Sequence, residues 1–172
     1  MSKADDGGGL ILALDASTTK VGWAVGTVRG VGEYGPVVLA VGLFKPKGAD
    51  VWERIWDYER WLGDILVSRG YGVVAYERAT GNHGHMRTNL LLGAVEAITR
   101  RCLRPWPGVE LVTVVASQTK AKANQAKAAQ MAELWPGEVF GQDELDAIAI
   151  WWQAVKMLER GRQEKLGAGG SN

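Results

Sequence analysis

Apolar residues run unbroken from Leu10 to Leu14 and stop at a carboxylate, Asp15. After the turn-forming Ser17, Thr18 and Thr19 they resume from Val21 to Val28, where Trp23 and Val25 alternate with smaller residues. Two strands joined as a hairpin are predicted. A third β-rich run, Val37 to Phe44, is set off by Gly35 and Pro36 before it and Pro46 after it, so an antiparallel meander is expected. From Asp50 to Arg69 the period changes: Val51, Ile55, Tyr58, Leu62, Ile65 and Leu66 recur at three- and four-residue steps among charges, the pattern of an amphipathic helix that Gly70 ends.

Gly72 to Glu77 is again a short apolar run closing in a carboxylate and predicts a buried strand. Gly81 to His85 reads as loop, and Met86 to Leu103 returns to helical period through Leu90, Leu91, Ala94, Ala97 and Ile98 before Pro105 and Pro107 stop it. Glu110 to Ala116 predicts a fifth strand. Ser117 fits the N-cap of a helix over Thr119 to Trp135, rich in Ala, Lys and Gln and halted by Pro136 and Gly137. A last helix is expected from about Gln142 to Lys165, with Leu145, Ile148, Ala149, Trp152, Val155, Met157 and Leu158 on its buried side.

A crossover from the meander through the first helix is right-handed by rule and lays the Gly72 strand parallel to a meander strand. If that neighbour is the first strand, Asp15 and Glu77 become adjacent at one end of the sheet. Asp143 and Asp146, three apart in the last helix, share a face and can cap that pair. The expected fold is α/β: a five-stranded mixed sheet, three antiparallel strands and two parallel, flanked by helices. One domain over residues 10–166 is expected, between polar, small-residue tails at 1–9 and 167–172 that cannot bury enough surface to offset ordering entropy.

Composition narrows the classes. With 172 residues of which 47% are hydrophobic, the chain can build one full core. Its apolar runs fall far below the ~20 residues of a membrane-spanning helix, and no basic-then-apolar leader opens it, so a non-secreted, cytoplasmic protein is expected. Cys102 is the single cysteine, which excludes an internal disulfide and a thiolate metal site and predicts a small buried hydrophobe. Net charge is only +1, but Arg78 to Ala132 holds eight Lys and Arg against two acids, a local surplus of the kind that attracts phosphate.

Asp15, Glu77, Asp143 and Asp146 are the candidate chemistry. Phosphodiester hydrolysis needs an activated water and a stabilised leaving alkoxide, and two divalent ions about 4 Å apart supply both. Hard ions such as Mg²⁺ take oxygen ligands, so Asp and Glu without Cys are the expected cage. Singly, each acid could be a strand-end turn residue or a helix N-terminal charge. Jointly, two carboxylates ending buried strands and a helical pair in the last element point to a metal site. His83 and His85, with Arg78, Asn82 and Arg87, make the loop after Glu77 a candidate DNA-reading segment, since imidazole titrates near neutrality. Trp52, Trp56 and Trp61 share one helix with Tyr58 and are too many for one face, so some are expected to be exposed.

These residues carry a resemblance. Leu10 to Val25, with Asp15 and Gly22, resembles the opening strand and hairpin of the RuvC-type Holliday junction resolvases, of the ribonuclease H-like superfamily. Val73 to Glu77 is similar to their second acidic strand, Leu92-Gly93 to a short match in the next helix, and Ser117 to Lys120 to the motif opening their lysine-bearing helix. Lys127 matches its second lysine, and Asp143 to Ala149 the closing acidic pair. The resemblance implies a homodimeric endonuclease of DNA recombination and repair that nicks four-way junctions symmetrically. It also implies two Mg²⁺ ions, for which Mn²⁺ substitutes, at the four acids, and Lys120 and Lys127 on DNA phosphates; Lys122, between them, is a further candidate DNA contact. The chain departs from the family at Ser17, where Gly is usual, at Thr80, where an aromatic wedge is usual, and in a spacing of only seven between Lys120 and Lys127. It is similar in this to the shortened versions that phages carry, so a bacterial or phage-infected cell is the expected setting. A broader branched-DNA or flap nuclease and a catalytically silent junction-binding protein are the alternatives. An actin-like or sugar-kinase ATPase would need a duplicated domain, for which there is no room.

Overall fold

The computed structural model describes residues 9–28, 35–78 and 86–168. Strands β1 (Leu10–Ala16), β2 (Val21–Thr27) and β3 (Val38–Phe44) form the antiparallel meander. Ser17 closes the first hairpin: its Oγ accepts from the Lys20 amide at 3.1 Å and donates to the Lys20 carbonyl at 2.8 Å. A hydroxyl thus supplies the turn where the related pattern has glycine.

Helix α1 (Val51–Ser68) starts on Asp50, whose Oδ1 accepts the amides of Trp52 and Glu53 at 2.7 and 2.9 Å and so satisfies two orphan donors. The chain returns in β4 (Tyr71–Arg78), which lies parallel to β1, then passes through α2 (Met86–Leu103) to β5 (Glu110–Val115), parallel to β4. Strand order is β3-β2-β1-β4-β5.

Period-two alternation divides the core between two faces. Ile11, Ala13, Val73, Ala75, Val112 and Val114 face the last helices; Leu12, Leu14, Val74 and Tyr76 face α1 and α2 through Tyr58, Leu62 and Val95. Among the α1 tryptophans, Trp61 stacks on Phe44 at 4.6 Å, whereas Trp52 and Trp56 are exposed. Cys102 is half-buried against the second cluster.

One element differs from expectation. The helix predicted over Thr119 to Trp135 with an N-cap at Ser117 is two helices: α3 (Ala116–Thr119), a single turn that contains Ser117, and α4 (Lys122–Ala132). Ala121 adopts an extended backbone between them, and neither helix start has a side-chain cap of the Ser type. The break is held from outside. Asn124 donates to the Gln118 carbonyl at 2.6 Å and Gln125 to the Thr119 carbonyl at 3.0 Å, so two carbonyls at the end of α3 find side-chain amide partners in α4. Helix α5 (Gln142–Ala168) then crosses the sheet, with Trp151 fully buried, and runs two residues past its expected domain end. No described helix is long and apolar enough to cross a membrane.

Candidate active site

β1 and β4 are in register through Leu14 opposite Tyr76, so Asp15 and Glu77 follow side by side at the carboxyl ends of neighbouring strands. By alternation both belong to the face covered by α5. Gly22 stands opposite Asp15 on β2, and a Cβ there would collide with the backbone carbonyl of Asp143. The missing side chain is what lets the first turn of α5 come down on the hairpin. Asp143 and Asp146, both half-buried, arrive there together.

The convergence is visible in Asp15's proton affinity. Burial first, then the charges of Glu77, Asp146 and Asp143, push its carboxyl from 3.8 up to about 7, with Lys120 opposing them. Acids from β1, β4 and α5 and a lysine from the α3–α4 break therefore share one electrostatic neighbourhood.

The other two acids have partners. Lys20, from the β1–β2 turn, places Nζ 2.6 Å from Asp143 Oδ2, and this bond holds the Lys20 ammonium above its usual range. Asp146 Oδ1 accepts from Gln125 Nε2 at 2.9 Å and from Gln142 Nε2 at 2.8 Å. As placed, no three His, Cys, Asp or Glu side chains among the described residues are gathered tightly enough to hold an ion. The donor set fits a hard divalent ion, being all oxygen and placed where burial first, and then the neighbouring acids, raise Asp15.

A cleft of about 160 Å³ between the strand ends and α2 is lined by Asp15, Ser17, Tyr76, Glu77, Glu96 and Thr99, among others. Glu96 is bound by Arg100, whose guanidinium also donates to Tyr76 Oη at 2.9 Å. Burial opposes ionisation of Glu96, but the bonds from Tyr76 and Arg100 outweigh it and its carboxyl sits below the usual range.

Of the expected DNA contacts, Lys120 and Lys122 are exposed around the α3–α4 break, and Arg78 is exposed beside Glu77 at the end of β4. Lys127 is turned elsewhere, with Nζ 5.2 Å from the Trp152 ring centre and 3.0 Å from Gln130 Oε1. Arg87 falls in the first turn of α2, of which only the backbone is described, while Asn82, His83, His85 and Thr80 lie outside the described residues. Lys20, Gln125, Gln142 and Glu96 are not among the residues that the sequence singles out for the site. Only the site's assembly reveals them, apart from Gln142, whose spacing of four from Asp146 was a readable hint.

No family model matches the chain, and no curated protein matches it by sequence. Solved structures do match. Thermus thermophilus RuvC in complex with a Holliday junction substrate superposes with a TM-score of 0.66 at 16% identity, over 82% of this chain and 89% of that one. The fowlpox virus Holliday junction resolvase gives 0.57 at 8% identity over 86% and 99%. The yeast mitochondrial Holliday junction resolvase gives 0.58 at 11% identity over 91% and 83%. The five-stranded mixed sheet flanked by helices is the ribonuclease H-like fold of RuvC and these other resolvases.

Proposed function

We propose that the protein is a divalent-metal-dependent endodeoxyribonuclease that resolves four-way DNA junctions, acting as a homodimer. The observation that carries this reading is the placing of Asp15 beside Glu77 at the ends of neighbouring parallel strands, with Gly22 opposite Asp15 letting the Asp143 turn of α5 close on them. Support comes also from the fold, shared with resolvases one of which is described in complex with a Holliday junction substrate.

In this reading Asp15, Glu77, Asp143 and Asp146 hold Mg²⁺ or Mn²⁺, two ions per site. The bound metal supplies an activated water and a counter-charge for the leaving alkoxide. The chain's own residues do the rest. The four carboxylates fix where the scissile phosphate can sit. Lys120 brings a positive charge that offsets theirs and faces the incoming phosphate. Lys20 holds Asp143 until a cation competes for it. Lys122 and Arg78 extend the basic track along the backbone of the DNA, and Asn82, His83, His85 and Arg87 are the candidates to continue it. A two-fold dimer presents two such sites to a substrate of the same symmetry.

The test is cleavage of four-way junction, flap and duplex DNA with Mg²⁺. Junction preference is expected, with Asp146→Asn abolishing cleavage while binding persists. Equal rates on all three substrates would remove the resolvase reading in favour of a broader branched-DNA nuclease, for which Thr80, standing where a wedge aromatic is usual, is the favouring observation. Junction binding without any Mg²⁺-dependent cleavage would leave a silent binding protein.

A further inference from the structure

The first turn of α4 carries two neighbouring amides that do the same structural task with different reach. Asn124 binds the Gln118 carbonyl, and its other contacts are to Gln153 Oε1 at 3.1 Å and from Lys156 Nζ at 2.7 Å, in the interior of α5. Gln125 binds the Thr119 carbonyl at 3.0 Å, but its Nε2 also donates to Asp146 Oδ1 at 2.9 Å, and its Oε1 lies 3.4 Å from Gln142 Nε2. Both hydrogens of one amide group are therefore used, one on the break beside Lys120 and one on a site acid.

We infer that Gln125 is a positioning residue, which fixes the Asp146 carboxylate for metal binding and ties it to the lysine-bearing break between α3 and α4; this rests on the metal-nuclease reading. The chemistry is directional. Nε2 donates, so it fixes the orientation of the carboxylate it holds. Gln125 and Gln142 both address Oδ1, and among the described residues Oδ2 takes no hydrogen bond, which leaves that oxygen for a cation. Fixing one oxygen restricts rotation of the carboxylate and lowers the entropy lost when an ion binds. The same amide makes any shift of the Lys120 segment on DNA a shift felt at Asp146.

The test uses the full chain with Mn²⁺ as probe. Mn²⁺ affinity is read by electron paramagnetic resonance, junction affinity in EDTA by fluorescence anisotropy, and folding by thermal melting. Gln125→Met keeps the length of the side chain but cannot donate. It is expected to weaken Mn²⁺ binding about 10- to 100-fold, the usual cost of removing a residue that orients a ligand, with junction affinity in EDTA unchanged. Asn124→Ala and the milder Lys156→Met loosen the parallel rivet without touching an acid, so they should lower the melting temperature and leave Mn²⁺ affinity within about twofold.

Equal losses of Mn²⁺ affinity in Asn124→Ala and Gln125→Met would reduce Gln125 to a structural rivet and overturn the inference. So would wild-type Mn²⁺ affinity in Gln125→Met while Asp146→Asn loses the ion, in which case the nuclease reading stands. A wild-type chain that binds no Mn²⁺ would defeat both.

Discussion

Asp15 shows how a site residue is made by its place. A strand-end aspartate in water is ionised above 3.8; here burial and then the three other acids hold the proton on up to about 7. The folded state binds that proton more tightly than the unfolded chain, so the contribution to stability is fully present below pH 3.8 and is lost as pH rises through 7. In EDTA the melting temperature of the wild type should therefore fall across this window relative to Asp15→Asn, by several degrees. Mg²⁺ added above pH 7 should recover it in the wild type and not in the variant. Calorimetric melts of the two proteins at pH 5 and pH 8 check this, and parallel pH profiles would show that Asp15 is not held as described. The acids could be read in the sequence because each ends an apolar run or opens a helix. Partners such as Lys20 and Gln125 could not, because they meet the site only through tertiary contacts that no local pattern encodes.

At the scale of elements, the meander, the crossover and the two parallel strands were legible because alternation and helical period differ sharply along those segments. The α3–α4 break was not. Ala, Lys and Gln favour a continuous helix, and what interrupts it is the pair of amides, Asn124 and Gln125, whose bonds run to the carbonyls of Gln118 and Thr119 and on to α5. Tertiary hydrogen bonding overrides propensity there. The seating of α5 on the hairpin rests on Gly22, and two glycine substitutions separate packing from propensity. Gly22→Ala places a methyl on the Asp143 carbonyl and should cost about 1–3 kcal/mol, as overpacking does, with a further loss of Mn²⁺ affinity because Asp143 is displaced. Gly63→Ala, inside α1 where an added Cβ meets nothing within 4 Å, should stabilise by roughly 0.5–1 kcal/mol. Chemical denaturation of both variants checks the opposite signs; a neutral Gly22→Ala would mean that α5 does not rest where the fold puts it.

Over the whole molecule the basic surplus between Arg78 and Ala132 divides between the two faces of the sheet. Arg101 is paired with Glu59 and Arg100 with Glu96, both in the α1–α2 layer. Lys120 and Lys122 stand on the α4–α5 side, exposed and without an ion pair among the described residues. A count along the chain merges these groups, whereas DNA lying across the proposed site would meet mainly the second. Each phosphate contact that a cation makes releases condensed counterions, so the logarithm of affinity falls with that of salt at about 0.9 per contact. Lys120→Ala and Lys122→Ala should each flatten that slope by about one and weaken junction binding alike on all sequences. Arg101→Ala should leave the slope as it was. Lys127 is a graded case: its ammonium is drawn toward Trp152 and Gln130, and it must leave both to reach a phosphate. Lys127→Ala should therefore weaken junction binding and flatten the slope, but by less than Lys120→Ala does. Titrations at several salt concentrations in EDTA read all four variants, and an Arg101→Ala effect as large as that of Lys120→Ala would place the DNA on the other face of the sheet.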